Sequence, residues 1–134
     1  MASYKPNPYA GKAFPAGSAS LTQYQFVAIN SSGEIITPTA TGVFALVLDD
    51  APSLAGATIT NDMPSGGYTV GRYYGCLSTM MAWAKVITGS NLSAGVAVQT
   101  DASGHAVPLV SGGVTLGYTV AASNSGDIVE IAPA

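Results

Sequence analysis

The chain is short of charge. Lysine, arginine, aspartate and glutamate make up 8% of its 134 residues, against roughly 25% in an average globular chain. Hydrophobic residues nevertheless reach 48% and the mean hydropathy is +0.36. So few charges leave a surface of Ser, Thr, Ala and Gly, either solubilised by hydroxyls or covered by copies or partners. The net charge of −3 argues against nucleic acid as a partner. With one cysteine, Cys76, no intramolecular disulfide forms, so the chain is not a disulfide-stapled secreted module. No apolar run approaches the roughly 18–20 residues of a membrane span, so no membrane association is expected. The opening MASYKPNPYAGKAFPAG lacks the apolar run of a signal peptide, so folding in a cytoplasm is expected. The length gives one domain.

What the chain does have is a pattern that occurs twice, 71 residues apart. Leu21 to Ala51 and Leu92 to Ala122 align without gaps. Leu21/Leu92, Val27/Val98, Ser32/Ser103, Gly33/Gly104, Gly42/Gly113, Val43/Val114 and Ala51/Ala122 coincide, and Asn30 faces Asp101. Each copy reads as a strand, an Asn/Asp-x-Ser-Gly turn, a short strand, a Gly-Val step and another strand. A duplicated half and two similar hairpins both fit the pattern. The expected organisation is an extended arm over residues 1–20, then one β-domain over 21–134 with related halves at about 21–60 and 92–131.

Period-two alternation predicts β-structure throughout. Tyr24, Phe26 and Ala28 alternate with Gln25, Val27 and Ile29. Val43 to Leu48 is a continuous apolar run, and Ala57 to Thr60 a short β-branched one. Tyr68, Val70, Arg72, Tyr74 and Cys76 fall on one face of an expected strand, which would bury one of Tyr73 and Tyr74 and expose the other. Val114, Leu116, Tyr118 and Val120 alternate with Thr115, Gly117 and Thr119, and Asp127 to Ile131 closes the series. Leu77 to Ile87 reads as a short helix or an irregular strand. The prolines Pro6, Pro8 and Pro15 disfavour helix and central strand in residues 1–20. This segment carries Lys5 and Lys12 and no acid, so it reads as a docking arm or a tail.

No catalytic constellation emerges, and the chain is not expected to be an enzyme. His105, the single histidine, follows Gly104 in a predicted turn, with no nucleophile elbow or cysteine partner in sequence. Cys76 reads as a buried, inert thiol. Asp49, Asp50 and Asp62 lack the alternating oxygen ligands of a calcium loop, so no metal or other cofactor is expected. GSNLSAG and PSGGYTVG do not continue as phosphate loops. Trp83, with Met80 and Met81, is either an interface anchor or core packing.

The second half, LSAGVAVQTDASGHAVPL followed by GVTLGYTV, a Ser/Asn/Gly loop and DIVEI, resembles the phage capsid cement proteins, also called head decoration proteins. Gly95 and Val98 match the first part of that pattern, Asp101 to Gly104 its turn, Leu116 and Gly117 its middle, and Asp127 to Ile131 its end. The sequence departs from it at Gly95-Val96, where an acid usually follows the glycine, and at the bulky Arg72-Tyr73-Tyr74. The resemblance implies a small β-barrel or β-tulip-like sandwich. It further implies a structural virion protein made in the host cytoplasm, bound as a homotrimer to the major capsid protein on the outer surface of the shell. On that reading Tyr4, Lys5, Tyr9, Lys12 and Phe14 of the arm contact the capsid, and Arg72, Tyr73 and Trp83 are interface candidates. The alternative is a receptor- or glycan-binding head-fibre or tail module, with Tyr68, Tyr73 and Trp83 stacking on sugars.

Overall fold

The structure, a computed structural model, describes residues 11–38, 46–53, 55–60 and 63–134. Its strands are β1 (Gly11–Pro15), β2 (Phe26–Ile29), β3 (Ile35–Ile36), β4 (Leu46–Leu48), β5 (Thr58–Thr60), β6 (Met63–Ser65), β7 (Tyr73–Ser78), β8 (Ala84–Ile87), β9 (Ala97–Thr100), β10 (Ala106–Pro108), β11 (Gly117–Thr119) and β12 (Ile128–Ala132). One sheet has the order β1-β7-β4-β2-β3 and the other β8-β12-β11-β9-β10; β5 and β6 form a separate hairpin. The fold is all-β, as expected, and takes the sandwich form: both sheets are open and neither closes into a barrel. No helix occurs among the described residues.

The two sheets repeat one another in hydrogen-bond register. Phe26 pairs with Val47 and Val27 with Leu46; their counterparts Ala97 and Val98 pair with Tyr118 and Gly117. Ile29 faces Ile35 as Thr100 faces Ala106. The turns agree atom for atom. Asn30 Oδ1 accepts from the N–H groups of Ser32 (3.0 Å) and Glu34 (2.9 Å). Asp101 Oδ1 accepts from those of Ser103 and His105, both at 2.9 Å. A side chain that closes its own turn in this way explains the Asn/Asp at both sites.

The repeat also runs past the bounds expected from sequence. β1 pairs with β7 as β8 pairs with β12. Beyond β1, Ala16 N–H donates to Arg72 C=O at 2.9 Å, and beyond β8, Thr88 N–H donates to Asp127 C=O at 2.9 Å. From Gly11 onward, therefore, the expected arm is an edge strand of the first sheet, and Ala16 lies fully buried in the core. Pro15 is accommodated because it sits at the end of a strand on the sheet edge, where a missing donor costs least.

Two apolar clusters follow from the alternation. On one face of the first sheet, Val27, Ile35, Leu48, Tyr74 and Cys76 pack with Ala16, Leu21 and Tyr68, and Tyr68 meets Tyr74 edge-on at 4.8 Å. The opposite face supplies Phe26, Val47 and Leu77 to a second cluster with Ala84, Val86, Val98, Leu116, Val129 and Ile131 of the second half. The first sheet is thus buried on both sides, and its far side forms one wall of the second half's core.

Two expectations change and a third is settled. The strand bearing Cys76 begins at Tyr73; Val70 and Arg72 stay exposed ahead of it. In the GVTLGYTV segment the strict alternation breaks after Leu116: Leu116 is buried, Gly117 and Thr119 are buried too, and Tyr118 and Val120 face outward. Gly117 leaves space that Ile131 fills, since a Cβ there would lie 2.8 Å from Ile131 Cδ1. Thr119 is tolerated because its hydroxyl donates to Ser93 C=O (2.6 Å) and accepts from Val96 N–H (3.0 Å). Leu77 to Ile87, read as a short helix or an irregular strand, is an interrupted strand: the end of β7, a turn and β8. Val43 to Ala45 and Asp62 lie outside the described residues.

Candidate functional surface

Of the arm residues, Tyr4, Lys5 and Tyr9 lie outside the described residues. Lys12 and Phe14 share one face of β1. Phe14 is half-buried against the first sheet's own cluster. Lys12 is exposed, its Nζ 5.7 Å from the Phe14 ring centroid, within cation–π range. The ring therefore serves the fold, and only Lys12 of this pair faces outward.

The other three candidates are not brought together. Arg72 and Tyr73 stand at the start of β7, with Tyr73 65% exposed and Tyr74 5%. Trp83 (58% exposed) lies beyond the far end of that strand. It shares the β7–β8 connection with exposed Met80 and Met81, so Trp83 is a surface residue rather than core. Tyr68, named above for sugar stacking, is buried, and its hydroxyl donates to Asp50 C=O at 2.7 Å.

The titratable groups singled out from sequence fall in two places, Cys76 with Asp49 and Asp50 in one and His105 in the other. Cys76 is buried, and burial first, with Asp50 and Asp49 nearby, pushes its thiol up to about 12. His105 sits in its turn with its backbone bound to Asp101. Asp50 Oδ2 accepts from Gly75 N–H at 2.6 Å. Asp49 is raised above the usual carboxylate range by desolvation and then by Asp50, with Lys85 opposing. Among the described residues no group of His, Cys, Asp and Glu gathers in a metal-binding arrangement.

Sequence reasoning missed the outer face of the second sheet. Tyr24 has φ 67°, and among the described residues no other non-glycine residue has positive φ. Its counterpart in the repeat is Gly95, φ 76°. The backbone bonds match: Tyr24 N–H donates to Leu48 C=O (2.7 Å) as Gly95 N–H donates to Thr119 C=O (2.8 Å). Tyr24 C=O accepts from Ile87 N–H at 3.0 Å. That bond ties the loop before β2 to β8 and leaves Tyr24 beside Lys85, Ile128 and Glu130, which line a hollow of about 400 Å³. A second hollow of about 590 Å³ shares Ile128 and Glu130 and extends past Val120 to Ser123. The signal for this site was present in the repeat alignment, as a tyrosine opposite a glycine.

No family model matches the chain, and no curated protein matches it. Among solved structures, the fold is similar to that of the head fiber gp8.5 N base in bacteriophage phi29. The TM-score is 0.54 over 92% of this chain and 94% of that one, at 19% sequence identity. The fold of this chain is therefore one also found in a phage head protein.

Proposed function

We propose that this chain is a structural protein of a bacteriophage head, mounted on the outer surface of the capsid. The observation that carries the proposal is the likeness to the phi29 head fiber base, which spans nearly the whole of both chains. The surface agrees with a mounted role. It carries little charge, and Met80, Met81 and Trp83 are exposed together on one connection; Trp and Met are enriched at interface cores. The partner is the major capsid protein, and the assembly a homotrimer. Weak contacts repeated over a shell add by multivalency.

Two roles fit that position. A cement protein bridges neighbouring capsid subunits and strengthens the shell; a fibre base anchors a projecting structure. The fold likeness favours the second role, and the sequence resemblance the first. Purified protein mixed with expanded heads and with procapsids of its phage should co-sediment with the heads. Failure to pellet with either would overturn the proposal. Heating the decorated heads then separates the roles: a cement protein raises the temperature at which DNA escapes, whereas a fibre base leaves it unchanged. Light scattering checks the trimer.

A further inference from the structure

We infer that the hollow bounded by Tyr24, Lys85, Ile128 and Glu130, on the outer face of the second sheet, binds a neutral saccharide, with the Tyr24 ring as its stacking platform. The starting point is the backbone. A residue other than glycine in the left-handed region costs about 1–2 kcal/mol, and for a bulky side chain the conformation is an outlier that points to function. Gly95 performs the same backbone task in the other half without that cost. Both backbone bonds of Tyr24 are made by its N–H and C=O, so neither needs the ring. The ring belongs to neither apolar cluster and is only half-buried. The backbone task at this position therefore does not require the ring.

The rest of the lining indicates what the hollow takes up. Lys85 and Glu130 are register partners across β8 and β12, and both are exposed. They place an ammonium donor and a carboxylate acceptor beside an aromatic ring and the aliphatic Ile128. This is the mixture that takes up a ligand with hydroxyls on its edges and C–H groups on its faces. Ligand clefts commonly measure about 300–1,000 Å³, and the hollow measures about 400 Å³. A neighbouring hollow of about 590 Å³ shares Ile128 and Glu130 and leaves room beside it for more than one sugar ring. Lys85 and Glu130 carry opposite charges, so the lining has no net charge, which suits a neutral ligand.

The inference does not depend on attachment to a capsid, and its test needs none. The purified full chain is applied to an array of immobilised oligosaccharides comprising neutral hexose chains, N-acetylhexosamine chains and uronic-acid chains. Binding to one of the neutral classes is expected. Tyr24→Gly should weaken it by about tenfold or more, corresponding to a lost contact worth about 1.4 kcal/mol, while the melting temperature holds or rises because the backbone strain is relieved. Glu130→Gln should weaken binding without altering the fold. The inference is overturned if no neutral class binds, if only uronic-acid chains bind, or if Tyr24→Gly binds as tightly as the parent. It also fails if Tyr24→Gly melts at a lower temperature, which would make the ring structural. A Tyr24→Gly variant that changes oligomeric state and not sugar binding would mark the face as a contact between copies, again overturning it.

Discussion

Gly33 and Gly104 occupy the same place in the repeated turn, with φ of 80° and 81°. Their surroundings differ. A Cβ on Gly33 would meet nothing within 4 Å, whereas one on Gly104 would lie 2.6 Å from Phe26 C=O. The second turn rests on β2, where Phe26 N–H donates to Gly104 C=O at 2.7 Å. Gly33→Ala should cost only the left-handed conformation, about 1–2 kcal/mol. Gly104→Ala should cost clearly more, because the joint between the halves must open. Urea denaturation of the two variants checks the difference. Cys76 offers a second residue-scale test. Its folded thiol holds its proton up to about 12, whereas a solvated thiol gives it up near 9.0. The folded state therefore binds more protons in that window, and stability falls as pH rises from about 9 towards 12. Burial raises Tyr68 as well, adding to the same alkaline loss. Cys76→Ser should flatten the slope of melting temperature against pH above 9 without abolishing it. The folded thiol, 1% exposed, should also resist iodoacetamide at neutral pH.

At the scale of elements, β1 carries the main revision. Three prolines and two lysines read as an arm, since propensity and charge see only the local chain. The pairing of Gly11–Pro15 with β7 is a long-range event, and nothing local announces it. The clue was weak: Lys12, Phe14 and Ala16 alternate, but Ala16 is too small to register as an apolar anchor. GVTLGYTV failed for a related reason. Tyr118 and Val120 are on the outward face, and the inward positions after Leu116 are held by Gly117, which makes room for Ile131, and Thr119, whose hydroxyl is satisfied. The repeated turns were legible because their chemistry is contained in five residues. The hollow at Tyr24 was not, because Tyr24, Lys85 and Glu130 meet only through the packing of β8 against the loop before β2. Deleting residues 2–20 is expected to remove an edge strand together with buried Ala16. Circular dichroism melts should then show a large loss of stability or failure to fold, whereas a mere docking arm would leave the melt unchanged.

For the whole molecule, the decisive fact is that the second half's core includes Phe26 and Val47 of the first. Phe26→Ala should cost about 3–5 kcal/mol, the usual range for a buried phenylalanine. The loss should appear as reduced amide protection in β9, β11 and β12 as well as in β2 and β4. Protection lost in β2 and β4 alone would mean that the halves are energetically separate. The first half has in addition a cluster of its own on its other face, closed by Leu21, Tyr68 and Tyr74. That asymmetry has a direction along the chain. On the ribosome, where the N-terminal part emerges first, the first sheet can close its private cluster while the rest is still being made. It then presents Phe26, Val47 and Leu77 as a ready template for the strands that follow. The reverse order would leave the second sheet without a wall, so synthesis from the N-terminus is also the order in which the second sheet meets its wall ready made.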